Sequence, residues 1–509
     1  MWHIESQLVH ALNDGDPRFG DVVCPIHLST TFAQERFGRP IRYDYARGGN
    51  PTRQVVEDQI AILEDALLSD GNASCADGNA ADITSDDNCD GAKGGLAFAT
   101  GMAAITAVLS LFKPGDEIIV PKNLYGGTFR ILDKYFSRFG LRYRFADFSN
   151  PVAVEQALTI DESPESVKKT KESLAGAILT EATSAETQAA ATAVTETQAV
   201  ATAVTETQAV LARRPQKAVF FESPTNPLLE VIDIAAIAAI AKRHNALTIV
   251  DNTFMTPYLQ QPLKLGADIV LHSATKYLGG HSDVLAGLVA TRNYELYKRL
   301  HFIQYSTGGT LSAFDSYLLT RGIKTLALRM NKACDNASII ANYLVEKCLR
   351  GNNCTKNDNS AGNDNSVRNV SCDDNAGNDS NAIHSYGNAI NSCNGSFPIA
   401  RVFYPGLSSH PGNNIQQKQA KSGGALVSFE LAEGYDVQKF AGKLRLITVA
   451  ESLGAVESLL CHPASMTHAS IPAELREEMG ISNRLLRLSV GIEHIDDLLA
   501  DIQQGLDAL

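Results

Sequence analysis

Nowhere in this 509-residue chain do about 18 consecutive apolar residues occur, the length a membrane-spanning helix requires. The first dozen residues, Met1 to Leu12, interleave His3, Glu5 and His10 with scattered apolar side chains, so the basic and apolar blocks of a secretory leader are not expected there. Positive charge is also short: 44 Lys and Arg stand against 57 Asp and Glu, a formal charge of −13. That balance argues against a nucleic-acid or anionic-membrane surface, which needs clustered cations, and leaves small molecules or other protein subunits as partners. Cysteine is sparse. Nine stand singly, five of them (Cys75, Cys89, Cys354, Cys372, Cys393) in polar stretches and none in a close Cys-x-x-Cys pair. Reduced thiols in a cytoplasm are expected, with no disulfide frame and no metal site.

What is present is ordinary enzyme composition, 44% hydrophobic and 20% charged, enough to bury one or two substantial cores. Three stretches depart from it: about Asp70 to Lys93, Glu162 to Ala212, and Gly351 to Ser396, rich in Asn, Asp, Ser, Gly or Ala and Thr. The middle one carries the unit Ala-Thr-Ala-Val-Thr-Glu-Thr-Gln-Ala-Val at 191–200 and again at 201–210, after a degenerate copy. So few copies cannot stack into a solenoid. The Asn-rich third stretch has too little apolar surface to offset the entropy of ordering it. All three read as surface loops.

The remainder alternates strand-like and helix-like segments. Ala218–Glu222 is a short apolar run that enters the turn Ser223-Pro-Thr-Asn-Pro227, and Ile234–His244 has apolar residues at helical spacing. Leu247–Asp251 and Asp268–His272 are two further strand-like runs. Strand, helix and strand in succession predict an α/β fold with a mostly parallel, helix-covered sheet. In such sheets ligands sit beyond the carboxyl ends of the strands, where Asp251 and Lys276 fall.

Lys276 follows an apolar strand and precedes the glycine-bearing turn Tyr277-Leu-Gly-Gly-His281, with the Ser273 and Thr275 hydroxyls close by. A lysine amine becomes a nucleophile only where burial or a neighbouring charge lowers its pKa; taken alone, a strand-end lysine is more often exposed. Asp251 suits either a protonated ring nitrogen or a helix cap. Ala99-Thr-Gly101-Met102-Ala-Ala places small residues at a helix start, where amides can hold phosphate, although a Gly-Met pair also serves close packing. Tyr125 in Leu-Tyr-Gly-Gly-Thr is an aromatic on a turn, able to stack on a flat ring. Arg487 in Leu-Arg-Leu-Ser-Val-Gly offers a guanidinium fork suited to a carboxylate, or to a rim salt bridge.

Together these pieces resemble the transsulfuration family of pyridoxal 5′-phosphate (PLP) enzymes, over nearly the whole chain outside the three stretches. The motifs are Tyr43-Asp-Tyr45-Ala-Arg47-Gly-Gly-Asn-Pro-Thr, Thr100-Gly-Met, Tyr125-Gly-Gly, Glu222-Ser-Pro-Thr-Asn226-Pro, Asp251-Asn-Thr253, Ser273-Ala-Thr-Lys276, Glu451-Ser452-Leu-Gly and Arg487-Leu-Ser-Val-Gly. The resemblance implies the aspartate-aminotransferase-like fold: an N-terminal arm (1–60), a PLP-binding domain (61–295) with insertions at 70–93 and 162–212, and a C-terminal α+β domain (296–509) with an insertion at 351–396. It implies Lys276 as the Schiff-base lysine, Asp251 with Thr253 at the ring nitrogen, and Tyr125 stacked on the ring with Asn226 near its oxygen. Gly101, Met102, Ser273 and Thr275 would hold the phosphate, and Tyr45 and Arg47 would reach the phosphate of a neighbouring subunit, in a dimer that pairs into a tetramer. Lys276, Tyr125 and Tyr45 are the catalytic candidates; Arg487, Ser452 and Glu451 would meet the substrate.

In this family the freed lysine removes the substrate's α-proton, and relatives that work at the γ-carbon often carry Glu at the position of Glu451. That residue, with Gly309-Thr-Leu-Ser-Ala-Phe-Asp-Ser-Tyr, points to a cystathionine gamma-synthase joining an O-acylhomoserine to cysteine. Cystathionine beta- or gamma-lyase is the alternative. A catalytically silent scaffold of the same fold is a remote third, since every expected ligand position is filled.

Overall fold

The computed structural model describes residues 2–10, 20–68, 93–160, 215–353, 398–469 and 471–509. The middle biased stretch and its repeat lie outside these residues, as do nearly all of the other two and the five cysteines named above. The third stretch is entered by the helix Leu326–Asn353, which continues past Gly351.

After the helix Ile4–His10, a small hairpin of β1 (Gln34–Arg36) and β2 (Arg39–Pro40) sits in the N-terminal arm. The seven strands of the main sheet follow: β3 (Gly95–Phe98), β4 (Glu117–Pro121), β5 (Arg142–Ala146), β6 (Lys217–Glu222), β7 (Leu247–Asp251), β8 (Ile269–Ser273) and β9 (Gly287–Ala290). Their order is β3-β9-β8-β7-β6-β4-β5. Pairs from β8 through β5 are parallel, whereas β9 runs antiparallel to both its neighbours. A uniform alternation does not foresee that reversal. It arises because the link from Ser273 to Gly287 carries no crossover helix and turns straight back.

Both faces of this sheet are covered, which is why its strands read as unbroken apolar runs. In β6, Val219 and Phe221 enter one core while Ala218 and Phe220 enter the other; Val250 and Val270 likewise oppose Ile249, Ile269 and Leu271. The helix expected at 234–244 spans Ile234–Arg243, started by the Asp233 carboxylate accepting from the Ala236 amide.

A second sheet, ordered β10-β11-β14-β13-β12, is built from β10 (Ile399–Phe403), β11 (Leu426–Leu431), β12 (Thr448–Val449), β13 (Leu459–Cys461) and β14 (Leu485–Ser489). It has its own core, where Ile340 and Leu344 of the helix Leu326–Asn353 and Leu498 and Ile502 of the helix Ile495–Leu506 pack on Val427, Phe429 and Leu488. The α/β fold with a smaller C-terminal α+β part is therefore as expected.

Candidate active site

Three neighbouring parallel strands end together, and each delivers polar side chains to the same edge. Glu222, the last residue of β6, is the register partner of Asp251, the last of β7; β8 ends on Ser273, three residues before Lys276. The backbone bends after Ser273 through a turn in which the Lys276 amide donates to Ser273 O at 3.1 Å. The side chain then reaches toward the second sheet, and Nζ donates to Ser452 Oγ at 3.2 Å. Burial lowers the Lys276 pKa, the Arg487 charge lowers it further, and Glu451 acts the other way. The free amine is thus favoured at a lower pH than for an exposed lysine. Close passage of the 452–454 segment depends on Gly454, whose φ is +78° and whose Cβ, if present, would lie 2.7 Å from the Tyr277 amide nitrogen.

Asp251 is held by Thr253. The Thr253 amide and hydroxyl donate to Asp251 Oδ1 at 3.0 and 2.5 Å, and the same hydroxyl accepts from the Ser273 amide at 2.8 Å, locking β7 to β8. Burial raises the Asp251 pKa while these hydrogen bonds oppose it. Glu222, not singled out among the candidate residues, is pushed well above the ordinary carboxylate range, by burial first and then by the Asp251 charge. Two carboxylates so placed are an unbalanced negative pair unless a cationic group joins them. The motif containing Glu222 was visible in the chain; its pairing with Asp251 needed the strand register.

Arg487, in the middle of β14, is fully buried. One terminal nitrogen donates to Asn226 Oδ1 at 2.7 Å and the other to Ser452 O at 3.1 Å, while Nε has no partner. Asn226 is itself held, its amide donating to Glu222 Oε1 at 3.0 Å. The fork is thus pre-positioned with a buried donor to spare, as an incoming carboxylate requires. Glu451 is exposed at the rim, where its charge acts on Lys276 and on Tyr125. His468 sits beside Arg487; burial, then that positive charge, pulls its pKa down to about 4. Its Nδ1 pairs with the Thr467 hydroxyl at 2.8 Å.

The helix Gly101–Leu109 begins at the same edge. Its third amide is capped by Thr100 Oγ1, leaving Gly101 and Met102 as the first two amides, which no helix can satisfy from within. A Cβ on Gly101 would lie 2.9 Å from Ser273 Oγ, so only glycine lets this helix start touch β8. Tyr125 immediately precedes the helix Gly126–Lys134 and is partly buried, its pKa raised by burial. The Thr275 hydroxyl accepts from the Ala286 amide at 3.0 Å and donates to Ala286 O at 3.3 Å, bracing the reversal into β9.

Open amides at a helix start, a buried acid lifted by burial and a buried amine of lowered pKa are the donor set for a phosphorylated, cationic, carbonyl-bearing ring. The residues present fit PLP. Tyr45 and Arg47 are the exception within one chain. The Arg47 guanidinium stacks 4.9 Å over the Tyr305 ring and 5.6 Å over that of Tyr45, and Tyr45 stays exposed.

Among the described residues no group of three or more His, Cys, Asp or Glu is placed to hold a metal, and no helix is long and apolar enough to cross a membrane. The family model for "Cys/Met metabolism PLP-dependent enzyme" matches residues 5–85, 87–163, 167–349 and 394–507. The chain is 40% identical to cystathionine beta-lyase of Lactococcus lactis subsp. cremoris over the whole of both proteins. It is 36% identical to the cystathionine gamma-synthase/O-acetylhomoserine (thiol)-lyase of Bacillus subtilis, covering 99% of this chain and 96% of that one. Among solved structures, cystathionine gamma-lyase of Lactobacillus plantarum complexed with L-serine aligns with a TM-score of 0.72 at 35% identity, over 100% of this chain and 99% of that one. With Lys276, Asp251 and Arg487 gathered at one sheet edge, the chain belongs to the PLP-dependent enzymes of Cys/Met metabolism, the transsulfuration family.

Proposed function

We propose that this enzyme is a cystathionine lyase that cleaves a carbon–sulfur bond, with β-cleavage and release of homocysteine as its main reaction. The observation that carries the choice is the full-length 40% identity to a cystathionine beta-lyase, against 36% to a gamma-synthase. It replaces the gamma-synthase expected from the motifs. A second reading, chemistry at the γ-carbon, is favoured by Glu451, whose charge acts on the Lys276 amine.

When bound, PLP supplies an electron sink for the negative charge left at the substrate's α-carbon. This chain's own groups do the rest. Arg487, already fixed by Asn226 and Ser452, grips the substrate carboxylate and sets the α-carbon over Lys276. Lys276, its pKa lowered by burial and its amine bonded to Ser452, takes the α-proton. Asp251, held by Thr253, would keep the ring nitrogen of PLP charged, with Tyr125 available to stack on the ring and Asn226 to meet its oxygen. Gly101, Met102, Ser273 and Thr275 would hold the phosphate, with Thr275 also bonded to the Ala286 backbone.

Tyr45 and Arg47 serve the site of a neighbouring subunit in this reading. The arm that carries them (1–60) leaves Val22, Leu28, Phe37 and Ile41 exposed, an apolar surface suited to a second copy. The division into a PLP-binding domain (61–295) and a C-terminal domain (296–509) goes with it. The buried thiols of Cys334 and Cys461 accord with a cytoplasmic enzyme.

Incubation of the holoenzyme with cystathionine, followed by product analysis, tests the assignment. Homocysteine, pyruvate and ammonia are expected. Cysteine with 2-oxobutanoate places the reaction at the γ-carbon, and cystathionine made from an O-acylhomoserine and cysteine, without cleavage, overturns the lyase.

A further inference from the structure

Behind Asp251 lies a buried acid–base pair that the reaction outlined above does not use. His272 follows Leu271, the register partner of Asp251, on β8. Leu271 and Ile249 face one core while Val250 and Val270 face the other, so strand alternation turns His272 to the side of the sheet opposite Asp251. There His272 Nε2 meets Glu64 Oε1 at 2.6 Å, and both side chains are 0% exposed.

Glu64 closes the helix Pro51–Leu63, and its carboxylate also accepts from Asn252 Nδ2 at 3.1 Å. Asn252 Oδ1 accepts from Gln260 Nε2 at 3.0 Å, and that nitrogen donates to Ser223 O at 3.0 Å. One buried carboxylate therefore ties together residues at the ends of β8, β7 and β6, which carry Ser273, Asp251 and Glu222. Burying an acid and an imidazole is costly, and well-packed apolar residues of similar volume are commonly as stable. The pair therefore reads as serving the site. Burial raises the Asp251 pKa, and the Thr253 hydrogen bonds and then His272 act against that push. The other titratable groups facing Asp251 are Glu222 from β6 and Tyr125 ahead of the helix Gly126–Lys134, and the Asp251 charge raises the pKa of both.

We propose that Glu64 and His272 are positioning residues that hold Asp251 as a carboxylate for the ring nitrogen of PLP. The inference rests on the reading of Asp251 given above. Glu64→Gln and His272→Gln are compared as holoenzymes with Asp251→Asn and the unaltered protein. The readouts are the visible absorption of the bound cofactor across pH, its dissociation constant, and steady-state kinetics.

Both variants are expected to change the cofactor's spectrum in the direction of Asp251→Asn and to weaken its binding about tenfold. Turnover falls while KM stays within about threefold, and the double variant adds little to either single one. Each variant tests the pair alone should the other fail to fold. Unaltered spectra and cofactor affinity, with only a lower melting temperature, make the pair structural and overturn the proposal. If Asp251→Asn also leaves spectrum and affinity unaltered, the assignment of Asp251 itself falls, a failure distinct from that of the pair alone.

Discussion

The strand-end cluster and the N-terminal arm treat functional side chains in opposite ways. In the cluster, three charged groups are buried or partly buried and tied by hydrogen bonds within the chain: Arg487 to Asn226 and Ser452, Lys276 to Ser452, Asp251 to Thr253. In the arm, Tyr45 and Arg47 stack on each other and on Tyr305 at the surface, among exposed apolar residues. Burial without satisfied partners is costly, so most of the cluster's polar atoms are paired within the chain, and Arg487 Nε is left for an incoming group. The arm carries no such burden, and its chemistry is available to a second chain.

The most severe break comes from the cluster. Lys276→Ala is expected to lower turnover of cystathionine by about 10³-fold or more, since the amine is the base, and to abolish the borohydride-reducible visible band of the bound cofactor. A variant that keeps the band and turns over normally places the chemistry elsewhere.

His468 gives the next largest effect, read as stability. The unfolded chain takes up this proton near 6.5, while the folded chain resists it until about 4. Between those values the unfolded state binds more protons, so stability contributed by neutral His468 is lost as pH falls through the window, on the order of 3 kcal/mol in all. Thermal unfolding of wild type and His468→Gln from pH 7 to 4 checks this: the difference between them should narrow as the pH drops.

Arg487→Lys keeps the charge but loses the planar fork, leaving Asn226 Oδ1 or Ser452 O short of a donor. KM is expected to rise about 10- to 100-fold, measured by steady-state kinetics, with the cofactor spectrum retained.

The arm responds more gently and in a different currency. Arg47→Ala is expected to weaken cofactor binding about tenfold, the cost of one charged hydrogen bond. Mixing Arg47→Ala with Lys276→Ala subunits sharpens the comparison. If Arg47 serves its neighbour, hybrids regain sites with both Lys276 and Arg47, and activity exceeds that of either variant alone. No recovery assigns Arg47 to its own chain.

Much of this was legible in one dimension. Apolar runs at 218–222 and 247–251 became β6 and β7 because both faces of a parallel sheet are covered, which leaves a strong local signal. The helix start at Gly101 was readable from small residues and a glycine at the head of an apolar run. The antiparallel β9 was not, since direction depends on how a connection returns rather than on the strand's own residues. Nor was the contact of Thr275 with the Ala286 backbone, which is brought beside it only by the turn.

The sequence by itself determined the strand and helix alternation, through local periodicity, and, through its ordered motifs, the resemblance to the PLP-dependent transsulfuration family, which implies the lysine, the acid and the arginine of the site. Only the tertiary structure decided which groups meet. Lys276 and Ser452 are 176 residues apart, Glu64 and His272 208, and Asn226 and Arg487 261. Each contact exists because packing of the two sheets and their helices, driven by burial of apolar surface, brings distant segments to one edge.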